Sequence, residues 1–412
     1  MRFIHTADWH LGRLFHGQHL TEDQAVVLDQ LVGLAHEARP DVIVVAGDIY
    51  DRAVPPPEAV ELLDDVLSRL VLDLRIPVIL IAGNHDSPNR LNFGARLLAG
   101  RRLYVCGNLP RQPALATFHD TTGPVHFLSV PYAEPATVRQ CLECPAVTDH
   151  NSAMAHYLDY ARTNAITPNT RTILIAHAFV AGGSECESER PLSVGGAGTV
   201  DPACFAGFHY VALGHLHCRQ PIPSTPGGYC GSLMKYSFDE ADQPKGAFVV
   251  DMDAAGNCTQ EFIPLKPRRD VRRITGRLAD LLNGPTNASE NRDDYLEVTL
   301  LDEGVVLDAI GRLREVYPNV LSLARAASSE GPDDPHARPD VRRMDDAQLF
   351  AAFYRHVRGA DLTETQRQAF ATVADDLLRR QREADAVASC NGNGKHAAPE
   401  DAAENVPVPL RV

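Results

Sequence analysis

The first half of the chain repeats one pattern, in which a short apolar run is followed by histidine, aspartate or asparagine. The pattern occurs in "RFIHTADWH", "DVIVVAGDIYD", "IPVILIAGNHD", "RTILIAHAFV" and "HYVALGHLH". Short continuous runs of valine, isoleucine and leucine are typical of strands that are buried on both faces of a sheet. The pattern therefore predicts a series of buried strands that each end in polar side chains.

Two segments between these strands have the apolar spacing of helices. The first is "TEDQAVVLDQLVGLAHEA", where Thr21 and Gln24 predict a capping box at the helix start. The second, "PPPEAVELLDDVLSRLVL", begins with prolines, which the first turn of a helix tolerates. Strands that alternate with helices predict a layered α/β domain. Since ligands of such domains gather beyond the carboxyl ends of the strands, we expect the polar clusters to share one edge.

The pattern changes after "PLKPRR", and the second half predicts smaller pieces. A strand-like "YLEVTLL" and a helix-like "VVLDAIGRLREVY" come first, and "SSEGPDDPHARPDVRR" then has the composition of a linker. Apolar residues at helical spacing follow, from Leu349 to Leu378, and such faces dock either on the parent domain or on a partner helix. A polar, disordered tail is predicted last. The predicted regions are 1–266, 267–326, 327–343, 344–384 and 385–412.

Composition and charge exclude few classes of protein. The formal net charge of −15 over 412 residues argues against a wholly basic nucleic-acid binder, although a local basic face remains compatible with it. No apolar run approaches the roughly 18 residues of a membrane span, and we expect no signal peptide. Nine cysteines without framework spacing favour free thiols in a reducing cytoplasm. Cys141 and Cys144 in "CLEC" leave open the alternative of half a zinc site.

The candidate chemistry lies in the side chains that follow the predicted strands. They supply oxygen and imidazole donors without thiolates, a mixture that suits Mn²⁺, Fe²⁺ or Zn²⁺. If Asp48 bridges two ions, each ion receives four protein ligands, and ions roughly 3.5 to 4 Å apart suit attack on phosphorus. Each cluster alone is weak evidence, because polar residues commonly end strands, but the full set is a strong signal. The candidates are Asp8, His10, Asp48, Asn84, His177, His215 and His217.

The order of these motifs resembles that of the calcineurin-like metallophosphoesterases. The order is D-x-H, G-D-x-x-D, G-N-H-D, a single histidine after a strand, and G-H-x-H. Longer stretches are similar to a bacterial branch of DNA nuclease subunits, over most of residues 1–265. These stretches are "HTADWHLG", "GDIYDRAVPPPEA", "AGNHDSPNRL", "SERPLSVGGAGTVD", "YVALGHLHCRQ" and "GSLMKYSFDE".

The resemblance implies a layered sandwich with a small α/β capping domain and C-terminal helices. It implies two divalent ions, usually Mn²⁺, and a role for His85 as the acid that protonates the departing sugar oxygen. Archaeal and eukaryotic relatives carry a further histidine where this chain has Asp51, so that role is not transferred. The first ion would bind Asp8, His10, Asp48 and His217, and the second would bind Asp48, Asn84, His177 and His215.

The resemblance also implies partners. Residues 344–384 would grip the coiled coil of a partner ATPase, in a heterotetramer that contains a homodimer of this chain. The substrates would be double-stranded DNA ends, degraded 3′ to 5′, and hairpins, in a cytoplasmic, nucleoid-associated complex. ATP would be used by the partner, because this chain has no G-x-x-x-x-G-K-[ST] motif. Two alternatives stay open: a phosphoesterase acting on a small phosphodiester, and a non-catalytic scaffold that clamps DNA.

Basic and polar residues near the motif loops are candidates for contacts with DNA phosphates. Arginine suits bidentate phosphate contact, and such contacts position a duplex without reading its sequence. The alternative for each residue is a solvated loop position or an internal ion pair. The run "RRDVRR" is open to the same two interpretations, a DNA face or a hinge. The candidates are Arg52, Asn89, Arg90 and Lys235.

Overall fold

The structure is a computed structural model. It describes residues 1–189, 198–285, 290–303, 306–326, 350–351, 354–355 and 361–370. The chain divides into two units, Met1–Ala327 and Ser328–Val412. Sheets and layers are found in the first unit, while the described part of the second is helical at 350–351, 354–355 and 364–370.

The strands of the first unit are short, as the sequence pattern predicts. In chain order, β1 to β19 are Arg2–Thr6, Leu14–Phe15, Gln18–His19, Val42–Val45, Val78–Ile81, Leu103–Cys106, Ala114–Asp120, Gly123–Val130, Arg171–His177, Phe179–Val180, Thr199–Val200, Tyr210–Gly214, Gln220–Pro221, Gly227–Tyr229, Gly246–Met252, Cys258–Pro264, Val271–Gly276, Tyr295–Leu300 and Val320–Arg325.

The helices connect these strands. In chain order, α1 to α8 are Thr21–Ala38, Pro57–Ser68, Pro88–Leu91, Ala95–Ala99, Pro135–Leu142, His150–Asn164, Leu278–Leu281 and Ala309–Arg314. A π-helical segment, Arg69–Asp73, extends α2, and 3₁₀ turns occur at Pro202–Phe205 and Phe238–Glu240.

Two mixed sheets form the centre of the first unit. The first has the strand order β16-β15-β1-β4-β5-β6, and the second has the order β13-β14-β12-β9-β8-β7. Strands β1, β4, β5 and β6 run parallel, as do β14, β12, β9 and β8. The strands predicted from the repeated pattern are β1, β4, β5, β9 and β12, which lie inside the sheets.

Alternate side chains of the strands pack into different layers of core. In β4, Val42 and Val44 belong to the core between the two sheets, while Ile43 and Val45 pack against α1 and α2. On the far side, α5 and α6 cover the outer face of the second sheet. The strands are therefore apolar on both faces, and the predicted layered α/β sandwich is confirmed.

The start of α1 differs from the sequence prediction. Leu20 is the N-cap residue, and no side chain caps the helix. The side chain of Gln24 is buried and turned toward the loop of residues 9–12, where it binds backbone groups. The predicted capping box is wrong, because those buried backbone groups take the Gln24 amide. In contrast, α2 begins at Pro57 as the prolines predict.

The strands β17, β18 and β19 form a small sheet with its own apolar core. Its strand order is β17-β18-β19, and the predicted "YLEVTLL" strand is β18. The helix α8, Ala309–Arg314, is shorter than its sequence pattern suggests. The core of this sheet includes Leu296, Val298, Leu313 and Val320.

The "RRDVRR" run forms ion pairs with α1 through Arg268 and Arg269, and with the small sheet through Arg272 and Arg273. Each of its arginines has a carboxylate partner, which favours a hinge held by internal charge pairs over a DNA face. The pairs are Arg268–Glu22, Arg269–Asp23, Arg272–Asp294 and Arg273–Glu297.

The predicted C-terminal helices are described only in part. Phe350 and Phe370 of the second unit stack with ring centroids 4.2 Å apart, while Leu349, Phe353, Val357 and 373–378 lie outside the described residues. The linker and tail also lie outside them, so the domain boundaries stay predictions. Among the described helices, none combines the length and apolarity that a bilayer crossing requires. The described cysteines are unpaired, and Cys141 and Cys144 join no described group of potential metal ligands.

We predict that Asp120→Asn lowers the free energy of unfolding by about 2 kcal/mol, because it leaves Arg171 without its charged partner. The carboxylate of Asp120 accepts hydrogen bonds of 2.8 and 2.7 Å from Arg171 and binds the amino group of Met1 at 3.0 Å. The hydrogen bonds from Arg171 hold the pKa of Asp120 well below its usual range.

Urea denaturation at several pH values measures this contribution. A depressed carboxyl pKa stabilises the folded state above the unfolded value of about 4, and the contribution is lost as the pH falls toward the folded value. The difference between the native protein and Asp120→Asn should therefore shrink below pH 4. Asp251→Asn, which breaks a half-exposed pair with Arg2, is the control and should cost less than about 1 kcal/mol. A difference independent of pH would contradict this account.

Candidate metal centre

The polar side chains predicted from the sequence meet at one edge of the sandwich. Asp8 and His10 follow β1, Asp48 follows β4, and Asn84 follows β5 in the first sheet. From the second sheet, His177 ends β9, while His215 and His217 follow β12. Because the parallel strands of both sheets end at this edge, residues far apart in the chain become neighbours.

The backbone at this edge is strained where the candidate ligands lie. Asp8, His10, Asp48 and His215 have φ values of 53°, 45°, 48° and 111°, although none is glycine. Such conformations each cost about 1–3 kcal/mol and persist where the surroundings hold them. Here the loops hold each other, since the His10 amide donates to the Asp48 carbonyl at 3.0 Å and the His215 amide donates to the Asp8 carboxylate at 2.9 Å.

Two glycines allow the loops to approach each other closely. A Cβ atom on Gly83 would lie 2.1 Å from Oδ1 of Asp48, and one on Gly214 would lie 1.9 Å from the carbonyl oxygen of Ala46. No side chain fits at either distance. The glycines of "GNHD" and "GHLH" are therefore requirements of the loop packing at the site.

The candidate ligands form two overlapping groups. Asp8, His10 and Asp48 offer ligand atoms that all lie within 4.8 Å of one another, and so do Asp48, His177 and His215. Oδ2 of Asp48 is 3.6 Å from Nε2 of His10 and 3.4 Å from Nε2 of His177. Asp48 thus belongs to both groups, as a residue that bridges two ions must.

The two remaining candidates each complete one group. Nε2 of His217 lies 3.0 Å from Nε2 of His10. Oδ1 of Asn84 lies 2.9 Å from Nε2 of His177 and 3.1 Å from Nδ1 of His215. The structure therefore brings together all seven of the residues selected from the sequence.

The hydrogen bonds and the pKa of His177 indicate whether these residues could bind a cation. Nδ1 of His177 donates to the carbonyl of Ala46 at 2.9 Å, so Nε2 of the neutral ring is an acceptor that faces the acceptor Oδ1 of Asn84. Burial lowers the pKa of His177, but the charges of Asp48 and Asp8 outweigh burial and raise it to about 9. The protein alone places a proton here, and a divalent ion is the alternative means of neutralising the same carboxylates. The donor set fits divalent metal ions.

His85 lies beside these groups with a fixed orientation. Its Nδ1 donates to the carbonyl of Asp51 at 2.8 Å, and its backbone amide donates to Oδ1 of Asp48 at 2.9 Å. Its Nε2 is 4.0 Å from Oδ2 of Asp48, and the residue is 4% exposed. His85 also shares a group of potential ligands with His10 and Asp51. Because Nδ1 is bonded to the carbonyl of Asp51, Nε2 is the ring nitrogen that faces Asp48 and the candidate metal site.

Sequence reasoning missed several residues that hold the site together. Asp86 accepts hydrogen bonds from the backbone amides of Ile49, Tyr50 and Gly83, and so ties the "GDIYD" loop to the "GNHD" loop. Asp86 is the last residue of the "GNHD" motif, but no role is predicted for it from the sequence. Gln24 is a polar residue on the apolar face of α1. That position indicates a buried side chain with internal partners, which the capping-box prediction did not consider.

The candidate DNA contacts differ in their surroundings. Arg52, Asn89 and Arg90 are exposed in loops or short helices that adjoin the metal-site loops. Lys235 instead forms an ion pair with Asp270 at 2.9 Å and donates to the carbonyl of Ala241. These contacts favour the alternative of an internal ion-pair partner for Lys235.

The chain is similar to known proteins over most of its length. Residues 1–219 match the calcineurin-like phosphoesterase family, and residues 267–358 match a family described as the type 5 capsule protein repressor C-terminal domain. The SbcD subunit of the SbcCD nuclease of Staphylococcus saprophyticus is 35% identical over 378 residues, which is 92% of this chain and 99% of that protein.

Two solved structures are also similar to the chain. GAP50, described as the anchor in the inner membrane complex of Plasmodium, has a TM-score of 0.37 at 15% identity, over 81% of this chain and 99% of that one. A dimetal phosphatase from Danio rerio has a TM-score of 0.39 at 13% identity, over 64% of this chain and 98% of that one.

The first family match covers more than half of the chain and contains all seven candidate ligands. The chain therefore belongs to the calcineurin-like phosphoesterases, and it is a metal-dependent phosphodiesterase that uses divalent ions. Within that class it is a homologue of the SbcD subunit of the SbcCD nuclease, to which it aligns over nearly its whole length. The resemblance inferred from the motifs is confirmed.

We predict that Gln24→Leu weakens metal binding as well as stability. The Gln24 amide accepts from the Gly12 amide at 3.1 Å and donates to the carbonyls of Trp9 and His10 at 3.1 and 2.8 Å. Leucine would leave these buried groups without partners, which costs about 1–3 kcal/mol for each group. The expected results are a lower Tm and, by titration calorimetry, a Kd for Mn²⁺ raised about tenfold or more.

Gln30→Leu is the matched control on the same helix. Gln30 bonds the backbone of Lys266 and Val26, at a half-buried position away from the metal-site loop. Its replacement should cost about 1 kcal/mol and leave the Kd for Mn²⁺ unchanged. Equal effects of the two variants on metal binding would refute the role given to Gln24.

Proposed function

We propose that this chain is the nuclease subunit of an SbcCD-type complex, and that two Mn²⁺ ions serve its hydrolysis of DNA. The observation that carries the proposal is the presence of Asp48 in two overlapping groups of oxygen and imidazole donors. Asp8, His10, Asp48 and His217 would hold the first ion, and Asp48, Asn84, His177 and His215 would hold the second. When bound, such ions lower the pKa of water and stabilise charge on phosphoryl oxygens.

His85 serves as the general acid for the leaving sugar oxygen. Its Nδ1–H is held by the carbonyl of Asp51, so the second proton of the charged ring is on Nε2. After Nε2 donates that proton, the ring is left as the neutral tautomer that the carbonyl already stabilises. The same hydrogen bond thus orients the ring before and after the transfer.

DNA contacts the protein beside the metal site through exposed residues of the adjoining loops. Arg52 and Arg90 offer guanidinium groups to phosphates, and Asn89 offers an amide. Contacts of this kind hold the backbone without reading sequence, which suits a nuclease for duplex ends and hairpins. Lys235 is not included, since its ion pair with Asp270 occupies it. Degradation proceeds 3′ to 5′ on duplex ends.

The partners of the chain are an SbcC-like coiled-coil ATPase and a second copy of itself. The relative in Staphylococcus saprophyticus is named as one component of a complex, and the chain spans 99% of it. Residues 344–384 bind the ATPase, in a cytoplasmic, nucleoid-associated heterotetramer. Two large apolar side chains in the chain segment that connects β5 to β6 support the homodimer, because they are exposed to solvent in the single chain. Phe93 is 87% exposed and Leu97 is 83% exposed.

The first test compares the native protein with His85→Ala on a hairpin-ended duplex. Mn²⁺, ATP and the SbcC-like ATPase are present, and metal content is measured on the same samples. We expect the native protein to cleave and His85→Ala to lose about 10²-fold or more in rate while it retains both ions. His36→Ala, far from the site in α1, is the control and should cleave at the native rate.

The alternatives predict different results in the same assay. Hydrolysis of a small aryl phosphodiester without cleavage of DNA would favour a small-molecule phosphoesterase. A native complex that binds both ions and cleaves neither substrate would favour a scaffold. Loss of an ion from His85→Ala would show that His85 is a metal ligand and would refute its role as the acid.

We predict that Leu97→Asp converts a dimer to a monomer. A carboxylate in an apolar interface is desolvated without a partner, which opposes association. Sedimentation velocity should show the native chain as a dimer and the variant as a folded monomer, with the native circular dichroism spectrum. Leu307→Asp, which is also exposed at 81%, is the control and should remain dimeric. A native protein that is monomeric at all concentrations would contradict the homodimer.

A further inference from the structure

We propose that Ser188 and Glu240 are positioning residues that fix His217 as a metal ligand. They make occupancy of one of the two metal positions depend on the segment that carries Ser188. The inference rests on the proposed ligand set. Neither residue follows a strand of the repeated pattern, and neither was a candidate from the sequence.

Only one assignment of donors and acceptors fits the hydrogen bonds among Ser188, His217 and Glu240. Oγ of Ser188 lies 2.6 Å from Nδ1 of His217 and 2.6 Å from Oε1 of Glu240. A carboxylate only accepts, so the hydroxyl proton of Ser188 is directed at Glu240. The serine oxygen must then accept a proton from Nδ1 of His217. Nε2 is left with its lone pair, and this atom faces His10 across 3.0 Å.

Glu240 is itself fixed by an ion pair in the interior. It is fully buried, and its Oε2 lies 2.5 Å from Nζ of Lys245, which is 5% exposed. Oε1 also accepts a hydrogen bond from the amide of Tyr236 at 3.2 Å, and it lies 2.6 Å from Oγ of Ser237, whose single proton is shared with Asp239. A buried carboxylate with so many donors has one favourable position. A continuous series of hydrogen bonds and one ion pair therefore connects Lys245 to His217.

The same two segments hold the backbone of His217. Nζ of Lys245 donates to the carbonyl of His217 at 2.7 Å, and the amide of His217 donates to Oε1 of Glu189 at 2.5 Å. Ser188 and Glu189 are consecutive residues between β10 and β11. Both the ring and the backbone of His217 thus depend on contacts outside the strand that precedes it.

The other metal position is supported differently. Nδ1 of His177 donates to the carbonyl of Ala46, directly after β4, so the sheet itself orients that ring. Of the two hydrogen bonds, only the one from His217 is relayed through a side chain of another segment. Removing the relay should therefore weaken one metal position and leave the second intact. Weaker binding of one ion alone would distinguish loss of the relay from a general loss of stability, which would affect both ions.

The test measures metal binding without the nuclease reaction. Native protein, Ser188→Ala and Ser188→Thr are dialysed to remove metal, titrated with Mn²⁺ by calorimetry, and assayed for bound manganese after desalting. We expect two ions per native chain and, in Ser188→Ala, one ion of native affinity and one weakened about 10- to 100-fold. Ser188→Thr keeps the hydroxyl and should restore binding to near the native value.

Ser184→Ala is the matched control in the same segment, because Ser184 is exposed and contacts Gln220 only through its backbone. It should bind two ions as the native protein does. Glu240→Gln is the second probe and should reproduce Ser188→Ala. Since that change leaves Lys245 without its charged partner, its fold is verified first by near-ultraviolet circular dichroism, and Ser188→Ala carries the test if it fails to fold.

His217→Ala separates the failure of this inference from the failure of the proposed function. If His217→Ala loses one ion while Ser188→Ala binds both with native affinity, the relay is refuted and the ligand set stands. If the native protein binds no Mn²⁺, or His217→Ala keeps two ions at native affinity, the ligand set is refuted and the relay with it. A selective loss of one ion in both variants supports the inference.

Discussion

The carboxylate of Asp48 is the group on which the arrangement of the site depends. It is 1% exposed, lies within reach of histidines from both sheets, and accepts the backbone amide of His85. A charge in such a place is unfavourable unless a cation and several donors compensate for its lost hydration. The close packing of Gly83 and the loop that carries His85 bring compensating groups to this one carboxylate.

The strands and the metal-site residues could be predicted from the sequence because each signal is local. Every candidate ligand follows an apolar run within a few residues, and parallel strands must present their carboxyl ends at a common edge. Asn84 and His85 illustrate the point, since "IPVILIAGNHD" alone places them after a buried strand. The layered fold followed from the same alternation of strands and helices.

The supporting residues could not be predicted in the same way, because their roles depend on contacts between distant segments. Ser188 meets Glu240 across 52 positions of the chain, and Gln24 meets Tyr236 across 212. The capping-box prediction for Gln24 used a sound local rule, but buried backbone groups competed for the same amide. Lys235 likewise resembled a surface cation until its distant partner, Asp270, was known.

The first turn of α1 carries two such contacts on consecutive residues. Gln24 holds the loop of His10, while the neighbouring Asp23 binds Arg269 and accepts the hydroxyl proton of Tyr295 from the small sheet at 2.9 Å. One helical turn therefore bonds both the loop that carries His10 and the small sheet. A displacement of this turn would therefore break hydrogen bonds to the loop of His10 and to the small sheet together.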